Sequence, residues 1–524
     1  MENTEHNWLK PKGYLHITAQ LDLTRKRNEV LNKVRDPKYI SQYAFFPLIH
    51  SIIKERKYKK IEGSVERAHS YKTSSGEIKL NAKNRPLHYS THLDAIIFGY
   101  YAELLQNKYE EVLAKEPELS QSVIAYRKIP VIGTDTNKST IHFAHEIFEE
   151  IKRRGVAEKE CFVLAFDIKS FFSSLNHNIL KSAWAKLLNE SKLPNDHYNV
   201  FRAATNFSYI MRDDLRIGQK KRGKRLGFDE KELARIRNKF GVNAFFESPK
   251  ALRNKIRSGQ LRIHKHPFRD KSTGEIIGIP QGLPISAVLA NLYLLEFDLL
   301  IQKNLVNALG CYYKRYSDDI AIICNRQQKE FVEKFVMESM EKSRVSISKD
   351  KTEIFHYEVE KDKMDGDVLR CWKLSKDGSK KSSPFVYLGF EFNGQRALIK
   401  SGNLSKFYRR MVFSVRRKAK RALKIAAQNN SKPVIYRRQL YKLYSALDLN
   451  KTKVHKRWKK LIKQESGEFR LVTGTKRKVL KSNYFSYAKR ASDIMGEPMI
   501  YEQVRNHRRI FNQAIEKHLR TSSY

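Results

Sequence analysis

The chain has 524 residues, and its 102 Lys and Arg stand against 56 Asp and Glu, a net charge of +46. Self-repulsion of that size calls for a polyanionic partner, with nucleic acid the natural one; the cations run along the whole chain, which argues against a single amphipathic membrane anchor. No apolar run approaches the ~18 residues of a membrane span, Met1 to His6 shows no basic-then-apolar leader, and four cysteines without paired spacing argue against a disulfide frame or zinc site, reading instead as reduced, buried thiols of a cytoplasmic protein.

In chain order, residues 1–86 form an N-terminal extension. Tyr39 to Glu55 reads as helix broken near Pro47. The basic stretches 55–60 and 67–72 interleave with Tyr58 and Tyr71, which suits stacked single-stranded bases or, equally, a solvated face. Leu87 to Leu113 has the periodicity of a long helix, and Val123 to Pro130 reads as a strand ended by proline. Thr140 to Lys152 is helical. Cys161 to Phe172 then opens as a buried strand whose apolar run ends on one carboxylate, Asp167. A lone buried charge is costly, so Asp167 needs a cation.

Leu175 to Leu188 returns to helical spacing. About 189–275 reads as a basic, mostly helical insertion containing the run Lys220 to Arg225. Gly278-Ile279-Pro280-Gln281-Gly282-Leu283-Pro284-Ile285-Ser286 is a turn where glycine lets the backbone approach a ligand, followed by an apolar helix to Leu300. Cys311-Tyr312-Tyr313 and Ile320 to Ile323 flank Tyr316-Ser317-Asp318-Asp319, the pattern of a hairpin with two carboxylates at its tip. Neighbouring side chains on an extended segment face opposite ways, so a turn must re-aim one of them. Arg326 to Ser343 is helical, Val345 to Ser348 a strand.

Asp167, Asp318 and Asp319, without histidine or cysteine, make a hard-cation set. Mg2+ takes oxygen ligands and is held by one or two carboxylates plus substrate phosphates; a pair of such ions serves in-line displacement. In 401–524, 32 basic against 7 acidic residues leave +25. Phe407 to Ala427, Val434 to Leu447 and Gln503 to Leu519 have helical periodicity, broken at Asn429 to Pro433.

The Asp167 strand, the Gly278 to Ser286 nonapeptide, the Tyr316 to Asp319 hairpin and Phe385-Val386-Tyr387-Leu388-Gly389-Phe390, in that order, resemble the core motifs of reverse transcriptases. The resemblance covers roughly Leu87 to Asn393. It implies an α+β right-hand polymerase: fingers and palm over 87–400, with the insertion, and a C-terminal helical thumb over 401–524. It implies RNA-directed DNA synthesis on two Mg2+ ions, with Mn2+ as a substitute, held by Asp167, Ile168, Asp318 and Asp319. It places Arg127, Lys128, Phe172, Gln281, Gly282 and Lys351 at the nucleotide and Tyr387, Leu388 and Gly389 at the primer grip. Phe172, five residues after Asp167, is similar to the aromatic gate that fills the space of a 2′-hydroxyl, the group that separates the two sugars.

The implied partners are an RNA template or a structured non-coding RNA, deoxynucleoside triphosphates and a DNA product; a homo-oligomer stays open. The stretched link before Gly278 and the helical tail look most like the defence-associated and abortive-infection group of bacterial enzymes, some of which synthesise untemplated or protein-primed DNA. A retron or group II intron type, and a nucleic-acid scaffold with an inactive core, are the alternatives.

Overall fold

The computed structural model describes the chain except residues 1–7, 11, 24, 62–65, 74–75, 218–226, 348–351, 363–365, 376, 447–452, 480–481 and 521–524. Its centre is a six-stranded sheet in the order Lys380–Ser382, Gly366–Leu374, Glu353–Asp362, Glu160–Asp167, Asp319–Cys324, Tyr312–Tyr316, with every neighbouring pair antiparallel.

Both faces of this sheet are covered, which is why its central strands read as unbroken apolar runs. Phe162, Leu164 and Phe166 join Ile320 and Ile322 in one core with the helices Ser286–Tyr293, Leu295–Ile301 and Lys329–Lys342. Cys161 and Val163 join Ala321 and Ile323 in a second core, under Thr140–Ala157 and Tyr484–Met495. Alternation along one strand thus feeds two cores. All four cysteines are buried, and none forms a disulfide.

A second sheet carries Ala82–Tyr89, Leu48–Arg56 and Tyr209–Met211. The first two pair antiparallel, Ile49 opposite Tyr89 through Arg56 opposite Ala82. This departs from the expected helix over 39–55: the helix is only Pro37–Gln42, and a strand begins at Leu48. The long helix likewise starts at His92, where the Thr91 side chain accepts from the Asp94 amide, and runs to Ala114.

Three further expectations are corrected. Val123 to Pro130 is no strand: after the short helix Pro117–Ser122, Val123 makes one bridge to Arg315, and Tyr126 turns left-handed with φ 63°. Of the expected strand Val345 to Ser348, Ser348 lies outside the described residues, and among the described ones only Ile347 makes a bridge, to Ile168. The C-terminal region has its helices, Ser401–Gln428, Arg438–Tyr444, Tyr484–Met495 and His507–Arg520, but also a two-stranded ribbon, Lys453–Lys463 with Phe469–Val479. Its cations occupy both faces, so no alternation of apolar and polar residues announced it. Among the described residues no helix is long and apolar enough to cross a membrane.

Candidate active site

The Asp319–Cys324 strand lies beside Glu160–Asp167 with Asp319 directly opposite Asp167. Residues directly opposite share a face, so register alone puts these two carboxylates on one side of the sheet. One residue earlier, the Ile168 amide donates to the Asp318 carbonyl at 3.1 Å. That bond ties the hairpin tip to the end of the Asp167 strand.

The tip is re-aimed by Ser317, left-handed at φ 61°. For a residue other than glycine this costs roughly 1–3 kcal/mol and persists only where the surroundings enforce it. Here the Arg315 guanidinium donates to the Ser317 carbonyl at 3.2 Å, and the Tyr126 hydroxyl donates to the Ser317 hydroxyl at 3.1 Å.

Above the tip is a cavity of about 520 Å³ whose lining includes Asp167, Ile168, Asp318, Phe172, Gln281 and Tyr126. Its lining also includes Lys83, Asn84, Arg85 and Pro86 from the Ala82–Tyr89 strand, and Lys169 next to Ile168. The cavity therefore brings two carboxylates and three cations together. Phe171 packs into the core at 3% exposure, while Phe172 is half-buried and lines the cavity.

The nonapeptide is fixed by backbone. The Gly278 amide donates to the Leu175 carbonyl and the Ile279 amide to the Phe172 carbonyl, both at 2.7 Å. The Gln281 carbonyl accepts from the His88 amide at 2.8 Å. Gly282, at φ 116°, lies so close to His88 that a Cβ would stand 2.4 Å from its carbonyl oxygen, so only glycine fits.

The expected residues divide clearly. Asp167, Ile168, Asp318, Phe172 and Gln281 meet in the cavity, and Gly282 seats its neighbour Gln281 against the strand Ala82–Tyr89. Asp319 is exposed, is tied to Asp167 by register, and does not line the cavity. Arg127 is turned elsewhere. Its guanidinium pairs with Glu110 at 2.6 Å and donates to the Val123 carbonyl at 2.6 Å, with 4% of the side chain exposed. Arg127 is thus held by partners inside the protein and does not line the cavity. Lys128 is exposed and does not line the cavity. Lys351 and the Lys220 to Arg225 run lie outside the described residues.

Tyr387, Leu388 and Gly389 form the turn between the strands Phe385–Tyr387 and Phe390–Phe392. Leu388 and Gly389 are both left-handed, at φ 47° and 92°. Tyr387 is buried at 4% exposure, and its pKa is driven up first by burial and then by the charge of Asp319. Tyr387 therefore lies within electrostatic reach of Asp319 at the hairpin.

Lys83 and Arg85 escaped sequence reasoning. The signal was present as Lys83-Asn84-Arg85-Pro86, but only the long-range pairing of 48–56 with 82–89 carries it to the cavity.

Among the described residues no group of three or more His, Cys, Asp and Glu forms a ready-made metal site. Asp318 and Asp319 are consecutive, so the cavity receives Asp167 and Asp318 rather than all three. Two carboxylates on one cavity wall, with no histidine or cysteine lining it, still suit a hard divalent cation whose remaining ligands are phosphate oxygens and water.

Residues 235–392 match the family described as reverse transcriptase (RNA-dependent DNA polymerase). That segment holds the nonapeptide, Asp318, Asp319 and the Tyr387 turn; Asp167 lies before it and is joined to it by strand pairing. No curated protein matches the chain. Among solved structures it is similar to apo telomerase from Candida tropicalis truncated from its C-terminal domain, at 13% identity and TM-score 0.36, over 62% of this chain and 54% of that one. It is also similar to telomerase from Candida albicans in complex with a TWJ fragment of telomeric RNA, at 10% identity and TM-score 0.35, over 96% and 66%. The chain spans about half the length of the Candida tropicalis telomerase chains, 54% and 48%. The sheet and the hairpin tip meet in one place, and residues 235–392, which carry the nonapeptide and the hairpin, match the reverse transcriptase family.

Proposed function

We propose that the cavity at Asp167 and Asp318 is the polymerisation site of a reverse transcriptase that adds deoxynucleotides to a DNA strand copied from RNA. The observation that carries this is the cavity itself, whose lining brings together Asp167, Asp318, Lys83, Arg85, Phe172 and Gln281. Carboxylates and cations lining one cavity suit a nucleoside triphosphate bridged by divalent ions.

In this reading Asp167 and Asp318, with the Ile168 backbone, hold two Mg2+ ions, and Asp319 supports them from the neighbouring position on the same face. When bound, such ions supply activation of the primer 3′-hydroxyl and charge neutralisation at the leaving phosphate. The chain's own residues orient the substrate. Lys83, Arg85 and Lys169 receive the phosphates, Gln281 abuts the base or sugar, and the Phe172 ring excludes a 2′-hydroxyl. The Tyr387 to Gly389 turn positions the primer end. An RNA template is the partner that fits both the domain and a net charge of +46. The stretched, basic insertion and extended C-terminal region support a setting in bacterial antiphage defence, with a non-coding RNA template or protein-primed synthesis.

The direct test is incorporation of labelled deoxynucleotides on a poly(rA)/oligo(dT) substrate by the purified chain, with Mg2+ or Mn2+ added and then chelated. Incorporation that depends on divalent cation supports the reading. Tight binding of the substrate with no incorporation under any divalent ion would favour a scaffold with an inactive core.

A further inference from the structure

The ribbon Lys453–Lys463 and Phe469–Val479 has no role in the cavity. It pairs eleven residues with eleven, His455 opposite Arg477, Lys456 opposite Lys476, down to Lys463 opposite Phe469. At ~3.4 Å per residue it is roughly 35 Å long. A lone two-stranded hairpin is marginal in water, and like charges directly opposite weaken it further. Between 455 and 478 there are nine Lys and Arg against two Glu, and both Glu, at 465 and 468, sit at the tip. None of those nine cations has a carboxylate partner among the described residues, and all are exposed.

The far end is anchored. Phe469 lies flat on Gly241, the left-handed residue that ends the helix Glu230–Phe240, where a Cβ would stand 2.6 Å from the ring. The ribbon therefore spans from the C-terminal region to the insertion, with its length bare between. Register sorts its cations: Lys456, Lys460 and Lys476 share one face, and Arg457, Lys459 and Arg477 share the other. Trp458 lies across Gly474 on the first face and stays 44% exposed.

A protein surface or a single strand of nucleic acid would meet such a ribbon from one side and need cations there alone. Cations on both faces fit a ribbon between two phosphate rows; the B-DNA major groove admits a two-stranded ribbon, and in an A-like duplex the wide groove is the minor one. We propose that this ribbon seats in a groove of the RNA–DNA hybrid, one phosphate row against each face. The identity of the duplex rests on the polymerase reading; the two-faced contact rests on the ribbon alone.

Two variants of the full chain test this without unfolding it. Lys456→Thr with Lys476→Thr replaces an opposed like-charge pair by a favourable Thr–Thr pair. Arg457→Thr with Lys459→Thr sets new threonines opposite Thr475 and Thr473 on the other face. Binding is measured by anisotropy against salt, without nucleotide, on a 20-base-pair RNA–DNA hybrid, the matching RNA duplex, the DNA duplex and single-stranded RNA. The expected result is that each variant lowers the salt slope on the hybrid by about 2, one per lost phosphate contact, and changes single-stranded RNA little. A loss confined to one face overturns the groove seat. A loss on the RNA or DNA duplex with the hybrid unchanged overturns the hybrid as occupant. Unchanged slopes throughout overturn the ribbon as a nucleic-acid contact. Repeating the series in Asp318→Asn keeps binding separate from catalysis, so failure of the polymerase reading leaves this result readable.

Discussion

Arg315 and Asp298 form a bidentate ion pair at 2.7 and 2.5 Å with neither side chain exposed, and the same guanidinium reaches the Ser317 carbonyl at the hairpin tip. The Tyr313 hydroxyl donates to the same carboxylate at 2.7 Å. Asp298 comes from the helix after the nonapeptide and Arg315 from the strand before Asp318, so the pair ties two motif-bearing elements together beneath the cavity. Its value lies in placement, since a buried ion pair is weak evidence for net stability.

Breaking the pair is a different matter, because it strands a charge. Asp298→Ala should cost about 3–5 kcal/mol, read as a shift of the urea midpoint at unchanged m-value. Arg315→Met with Asp298→Leu, which removes both charges, should recover most of that. If the double variant folds as stably as wild type and still polymerises at the wild-type rate, the pair does not hold the Ser317 turn.

The parts of this fold that were legible in the sequence were those whose signals are local. The Asp167 strand, the hairpin at Tyr316 to Asp319 and the helices flanking them carry their own periodicity and turn residues. Phe171 and Phe172 could be divided into one core ring and one facing outward, and the structure makes that division. What failed was set by distant partners. Val123 to Ile129 has strand-like residues, yet Arg127 bends the segment around Glu110 and the Ser120 carbonyl. Lys83 and Arg85 look like surface cations until strand pairing swings them over the cavity.

At the hairpin tip, Asp318→Asn keeps shape and removes one charge from the proposed ion site. Nucleotide incorporation should fall by several orders of magnitude while the thermal midpoint stays within a few degrees. Activity near wild type would remove Asp318 from the chemistry.

The Phe172 ring gives a selectivity prediction. Phe172→Ala opens the cavity lining but keeps the core ring of Phe171, whose centroid is 5.7 Å from that of Phe172, so ribonucleotides should be incorporated at a substantial fraction of the deoxynucleotide rate. A variant that stays active and equally selective would place the sugar gate elsewhere.

Behind the nonapeptide lies a histidine cluster with a pH signature. Burial drives His16 and His88 down to about 3, and His92 and His266 to about 4, from 6.5. A depressed histidine stabilises the fold fully above the unfolded value and loses that contribution as pH falls towards the folded one. Asp94 works the other way: burial pushes its carboxyl up to about 6, so protonation favours the fold. Four histidines against one carboxyl leave stability falling as pH drops from about 6.5 to 4. Thermal midpoints at pH 7.5, 5.5 and 4.5 should decline in that order, and His88→Phe should flatten the decline. An unchanged slope in that variant would mean His88 is solvated.

The last prediction separates the cations that reach the cavity from those that were expected to. Lys83 and Arg85 are exposed on the strand Ala82–Tyr89, and Arg85 makes a 3.6 Å ion pair with Glu55, itself also held by Lys406 at 2.7 Å. Neither supports a core, so alanine at either position should leave stability within about 0.5 kcal/mol. If they receive the triphosphate, each loses a charge-assisted contact worth about 1.5–3 kcal/mol, and KM for deoxynucleotides should rise roughly ten- to a hundredfold, more than kcat falls. Lys128→Ala is the control, because Lys128 does not line the cavity and its loss should leave both constants near wild type. The opposite pattern, a raised KM for Lys128→Ala with Lys83→Ala and Arg85→Ala unaffected, would mean that the phosphates lie on the Tyr126 side of the cavity and that the strand Ala82–Tyr89 only closes it.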